Sequence, residues 1–185
     1  QVKGTWDVNM DMTSTFTCGY GYIKWRNVTK EDELSASGDA YTSIDFPLFR
    51  TADAYLMAAE AILRGASGTK SEALGYVNEV RTRAYMSGKY AKNGVRSDVS
   101  GEIGANELDL DFLLLERQKE LASELIRRTD LIRFGKYTKG NNWDWKNGVR
   151  LGEDVDDKYN LFPIPESELT NNPTLVQNDG YKVIK

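Results

Sequence analysis

The chain has 185 residues, with 24 Lys and Arg against 28 Asp and Glu, for a formal charge of −4, and it has no histidine. That length holds one ordinary domain with a core of its own, and the acidic balance provides no general field for a polyanion, so no nucleic-acid partner is expected. The missing histidine removes the usual general base and the commonest metal ligand, and the lone Cys18 rules out an intrachain disulfide or a cysteine-built zinc site.

The opening QVKGTWDVNM has no basic-then-apolar targeting pattern, so either a signal has been removed or the chain begins part-way through a longer protein. No 18-residue apolar run exists to span a membrane. Eight of the 20 aromatic residues fall in the first 49: Trp6, Phe16, Tyr20, Tyr22, Trp25, Tyr41, Phe46 and Phe49. They alternate with Gly, Asn, Thr, Ser and Asp, as loops and short strands do. Residues 16–25 have partial period-two character, interrupted by Gly19 and Gly21.

Helical periodicity begins after Pro47. Over 48–64 the apolar residues Ala52, Tyr55, Leu56, Ala59, Ile62 and Leu63 define one face, and Gly65 ends the helix. Thr69 and Glu72 form a capping-box pattern that opens a second helix over 70–86, with Ala73, Leu74, Val77, Val80 and Ala84 on its apolar face. The short connection predicts an antiparallel pair. Residues 87–106 read as a loop. A third helix is expected over 108–125, with Leu108, Phe112, Leu115, Leu121, Ala122 and Leu125 apolar, and a short fourth over 128–134 ends at Gly135. Residues 136–160 form a second aromatic-polar loop. The tail from Leu161 to Tyr181, with Pro163, Pro165 and Pro173, is expected to be extended with turns.

No phosphate loop, dinucleotide fingerprint, nucleophile elbow or zinc-protease helix is present. Glu116 and Glu120 lie close enough for a carboxylate pair of the glycosidase kind. They also sit among arginines, which favour ion pairing over proton donation. We expect Glu116, Glu120 and Glu124 to pair with Arg117, Arg127, Arg128 or Arg133, with at least one pair buried. The run Glu153, Asp154, Asp156 and Asp157 offers hard oxygen ligands, but it lacks the glycine and terminal glutamate of an EF-hand loop, so a solvated acidic turn is expected. Trp143 and Trp145 stand in a Gly- and Asn-rich segment without core periodicity. Aromatic faces beside amides and carboxylates suit the apolar face and hydroxyl rim of a sugar. The same pair can serve as a protein-binding anchor or cover the helices.

Three blocks carry a resemblance. The first runs from Phe46 to Ala61, FPLFRTADAYLMAAEA. The second is Glu116-Arg117-x-x-Glu120-Leu121-x-x-Glu124-x-x-Arg127-x-x-Asp130-Leu131-Ile132-Arg133-Phe134-Gly135. The third is Leu161-x-Pro163-Ile164-Pro165-x-x-Glu168-Leu169-x-x-Asn172-Pro173-x-Leu175-x-Gln177-Asn178-x-Gly180-Tyr181. Together, and in this order, they resemble the C-terminal part of the SusD/RagB family of nutrient-binding outer-membrane lipoproteins. One departure stands out: Leu125 occupies a position where the family usually has glycine.

The resemblance implies a mostly α fold, with a tetratricopeptide-like helical hairpin plus packed helices, long irregular loops and little β. Residues 1–185 would be the C-terminal portion of such a domain, with an irregular aromatic-rich segment at 1–46, a helical core at 47–135, and a loop and wrapping tail at 136–185. It further implies non-catalytic capture of an oligosaccharide or polysaccharide, or of a peptide, and delivery to a TonB-dependent outer-membrane transporter. Members are held at the surface of the Bacteroidetes outer membrane by a lipid anchor, which here would lie outside the chain. No cofactor or metal is implied. The family has no fixed ligand motif, so the ligand candidates rest on the aromatic-loop argument: Trp143 and Trp145, with Tyr20, Tyr22 and Trp25. The blocks themselves read as architectural, with Glu116, Arg117, Glu120, Glu124, Arg127, Asp130 and Arg133 building helix packing.

Overall fold

A computed structural model describes residues 44–86, 100–140 and 143–182, together with Lys24, residues 27–29 and Glu33. The chain divides into two units, Gln1–Leu48 and Phe49–Lys185. In the first, the Thr29 N–H donates to the Glu33 carbonyl at 2.8 Å. The strand expected within 16–25 lies outside the described residues apart from Lys24, as does most of the loop expected at 87–106. The elements below belong to the second unit.

Its regular structure, among the described residues, is helical: α1 (Thr51–Leu63), α2 (Lys70–Met86), α3 (Leu110–Glu120), α4 (Arg127–Arg133) and α5 (Glu166–Asn171). None of these is long and apolar enough to cross a membrane. α1 starts three residues later than the periodicity predicted, because Arg50 is extended (φ −132°, ψ 149°) and sends its side chain elsewhere. α2 begins as expected. The Thr69 N–H donates to the Glu72 carboxylate at 2.6 Å, and the Glu72 N–H donates to Thr69 Oγ1 at 3.2 Å. These bonds to Thr69, backbone first, hold the Glu72 carboxyl below its ordinary range.

α1 and α2 run antiparallel. Arg50, Ala52 and Tyr55 at the start of α1 line one cavity of about 350 Å³ with Glu79, Val80 and Arg83 late in α2. Leu56, Ala59, Ala73, Val77, Val80, Leu108 and Leu113 form the buried core. Ala84, expected on the apolar face, is exposed. Gly101 closes the end of α2. Its φ of +72° is a left-handed value, and a Cβ there would meet the Tyr85 ring at 2.3 Å, so only glycine fits as the ring stands.

α3 is shorter than expected. It opens on Asp109, whose carboxylate accepts from Phe112 N–H at 2.7 Å, and it stops at Glu120. Ser123 (φ 64°) and Leu125 (φ 61°) are left-handed, a geometry no α-helix can contain. Leu125 therefore leaves the helix and is 88% exposed, and within α3 the buried face is Leu113, Leu114, Glu116 and Arg117, which leaves Leu115 47% exposed. The tail also departs from expectation. It contains α5, which starts after Pro165 with Glu166 and Glu168 in its first turn, a combination suited to a helix start.

The charged residues pair differently from the spacing-based expectation. Glu116 pairs with Arg81 of α2, and Lys119 lies 3.7 Å away. Glu120 binds Arg50 at 3.0 Å and Arg83 at 2.6 Å, and Glu124 binds Arg50 at 2.8 Å. None of the three pairs with Arg117, Arg127, Arg128 or Arg133. Those arginines serve other partners because α3 turns its Arg117 face toward α1 and α4. Arg117 lies between Asp53 (2.9 Å) and Asp130 (2.8 Å), with only the Asp130 contact in hydrogen-bond geometry. Arg133 joins Glu60 and Asp130, each at 2.8 Å. Arg127 donates to the Leu114 carbonyl at 3.0 Å. Burial does occur, but in pairs other than those expected: Arg81 with Glu116 and Arg117 with Asp130, all four residues buried. Burial pushes the Glu60 carboxyl up, but hydrogen bonds from Arg133 and Arg64 outweigh it and hold the group below its usual range.

Candidate ligand-binding surface

The loop after α4 carries both tryptophans singled out in the sequence. Its frame is polar and self-satisfied. Thr138 is buried, donates its hydroxyl to Asp157 at 2.6 Å, and accepts the Val155 N–H on its carbonyl at 2.9 Å. The Gly140 N–H donates to Asp154, and Asn147 donates to Glu153 at 2.6 Å. Asp156 accepts from the Lys158 N–H at 2.9 Å. The Thr138 hydroxyl, then Lys139, hold the Asp157 carboxyl low. The four acidic residues of the run are thus spent on the loop's own bonds, and no group that could hold a metal ion occurs among the described residues.

On this frame Trp143 is 41% and Trp145 66% exposed. The Tyr137 ring lies 5.8 Å from the Trp143 ring, tilted by 37°, and the Lys146 ammonium lies 5.0 Å from it. Arg128 continues the series, 4.9 Å from Tyr137 on one side and 4.1 Å from Phe162 on the other. It is fixed there by a 2.8 Å bond to the Tyr159 carbonyl. Cations over aromatic faces give stacks that are stable in partly wet surroundings. Phe162 is itself 72% exposed, and its segment is held by Asn178, which donates to the Phe162 carbonyl, and by Gln177, which bonds both backbone groups of Ile164.

Trp143 and Trp145 therefore share one loop and reach solvent. Tyr20, Tyr22 and Trp25 lie outside the described residues. Glu116 and Glu120, the carboxylates spaced for acid–base work, are occupied by Arg81, Arg50 and Arg83. Reading the sequence for binding groups passed over Phe162 and Lys146. Phe162 sits in a proline-rich tail whose pattern reads as wrapping, and a lysine between aromatics and asparagines carries no signal of burial.

A model of the SusD family matches residues 2–181. The chain belongs to the SusD family. It is 38% identical over 176 residues to the starch-binding protein SusD of Bacteroides thetaiotaomicron, covering 95% of this chain and 28% of that protein. It is 30% identical over 151 residues to SusD-like protein P2 of Formosa agariphila, covering 80% of this chain and 28% of the relative. SusD-like protein P25 of the same organism is 33% identical over 141 residues, covering 72% and 23%. The chain thus spans about a quarter of the length of these curated relatives. None of these names is that of an enzyme.

Proposed function

We propose that this SusD-family chain binds glycans without altering them, as the C-terminal portion of a surface protein that passes them to a TonB-dependent outer-membrane transporter. The observation that carries the reading is the Trp143–Trp145 pair, exposed on a loop whose polar groups already satisfy one another. Rings so held stack on pyranose faces with little ordering to lose. The name of the relative from Bacteroides thetaiotaomicron makes an α-glucan the first ligand to test. Tyr20, Tyr22 and Trp25 belong to the same proposal as further stacking groups. The α1–α2 pair is read as one tetratricopeptide-like unit of a helical scaffold that the ion pairs of Glu116, Arg117, Glu120, Glu124, Asp130 and Arg133 lock together. Attachment to the outer membrane is assigned to a lipid anchor at the N-terminus of the parent protein.

A second reading, a peptide-binding or transporter-contacting module, is favoured by one feature. Leu161, Phe162 and Val176 are 60%, 72% and 81% exposed, which puts apolar surface on the tail. The two readings separate on a glycan and peptide array probed with the full-length protein, with a turnover assay on every hit. Trp143→Ala and Trp145→Ala, each in the full-length protein, are expected to weaken binding of the best glycan by about 2 kcal/mol, the scale of a hot-spot aromatic. Their melting temperatures should stay near that of the parent. A tryptophan that covers the core would behave oppositely, costing about 3–5 kcal/mol of stability and no affinity. Release of new reducing ends from any hit would overturn the non-catalytic reading.

A further inference from the structure

The turn that carries the tryptophans is strained, and its strain serves no packing. Trp145 has φ 63°, in the left-handed region that bulky L-residues adopt only at a cost, whereas Asn147 at φ 57° is a residue type that enters that region readily. Gly148 follows at φ +76°, where glycine meets no such cost. The Trp145 ring is 66% exposed, so little packing offsets that cost. The backbone is pinned in that shape on both sides: the Trp145 N–H donates to the Arg150 carbonyl at 3.1 Å, and its carbonyl accepts from Gly148 at 2.9 Å.

Between the two left-handed residues sits Lys146, only 2% exposed. A buried ammonium needs compensation. This one finds it by donating to the Gly140 carbonyl at 2.9 Å and by lying 5.0 Å from the Trp143 ring. One side chain therefore ties the turn back to Gly140 and lies against the ring of one tryptophan.

We infer that Lys146 is a positioning residue: an internal strut that holds the turn in its strained form so that Trp143 and Trp145 present their faces to a glycan. The inference rests on the glycan-binding reading above. Charge and reach are what the strut supplies. Arginine retains both, whereas methionine keeps only the stem.

Two comparisons in the full-length protein test it. The first needs no ligand. Trp145→Gly and Trp145→Ala both remove the ring, but only glycine relieves the left-handed geometry, so Trp145→Gly should melt higher. Equal melting, or a lower value for the glycine variant, would overturn the strain. The second is titration calorimetry with maltoheptaose, and with cellohexaose and laminarihexaose as other backbone geometries. Lys146→Met should weaken the best of these about tenfold and change the near-ultraviolet tryptophan signal, while Lys146→Arg recovers most of both. If Lys146→Met does not fold, Lys146→Arg decides, and its loss of affinity would count against the strut. Wild-type affinity in Lys146→Met beside lost affinity in Trp145→Ala would sink the strut and leave glycan binding standing. Wild-type affinity in both tryptophan variants, or no glycan bound by the parent, would sink the glycan reading and the strut with it.

Discussion

Leu125 shows how much one backbone angle explains. Its φ of 61° and 88% exposure mean that it bears the cost of a left-handed residue and buries nothing in return. A glycine at this position fits that geometry freely. Leu125→Gly should therefore raise stability by about 1 kcal/mol, read as a shift in urea midpoint at unchanged slope. A fall in midpoint would mean that the side chain packs after all. Arg117 is the opposite kind of residue. It is 2% exposed and compensates two buried or nearly buried aspartates, Asp53 and Asp130. Arg117→Met keeps most of the volume and strands both carboxylates, at an expected cost of about 3–5 kcal/mol. A loss under about 1 kcal/mol, the worth of an exposed pair, would contradict its place at the centre of the helices.

At the scale of elements, α2 owes its start to a reciprocal cap. Thr69 satisfies the Glu72 N–H, and Glu72 satisfies the Thr69 N–H. Thr69→Ala removes one half and should cost about 1 kcal/mol in thermal or chemical denaturation. Amide exchange should quicken in the first turn of α2 and not in α3. α3 and α4 are separated by the two left-handed residues, so the chain changes direction within the stretch that periodicity assigned to the end of the third helix. That turn is what lets Arg117 and Arg133 face α1 together.

For the molecule as a whole, the titration behaviour follows from which groups are present and how they are held. With no histidine, nothing of ordinary pKa titrates between about pH 5.5 and 7. Glu60, Glu72 and Asp157 all sit below their ordinary values. A depressed carboxylate contributes stability that is complete above its unfolded pKa and is lost as pH falls through its folded value. Urea midpoints should therefore be flat from about pH 7 to 5.5 and fall below about pH 4.5. Glu72 and Asp157 are exposed, so the buried Glu60 should carry more of this slope, and Glu60→Gln should flatten it while lowering the plateau. A steep change between pH 7 and 6 would contradict this assignment.

What the sequence determined by itself was local. α1, α2 and α4 lie close to where periodicity and the Thr69–Glu72 pattern placed them, because helix starts, caps and apolar faces are set within a few residues. Family membership was legible for a related reason: its blocks are contiguous, in order, and rich in residues with fixed spacing. The partners of the charged residues were not legible. Every glutamate of the second block had arginines within a turn or two, yet Glu124 pairs with Arg50, 74 positions away, and Glu116 with Arg81, 35 away. Spacing along a helix fixes only which face a charge occupies. Which opposite charge meets it is decided by how whole helices pack, and burial makes an unpaired charge costly. The loop divides the same way. Tryptophans among glycines and asparagines left stacking, anchoring and helix-covering roles open, and only the tertiary structure exposes both rings and buries Lys146 beside Trp143, because its partners are a carbonyl and a ring face that no sequence pattern joins.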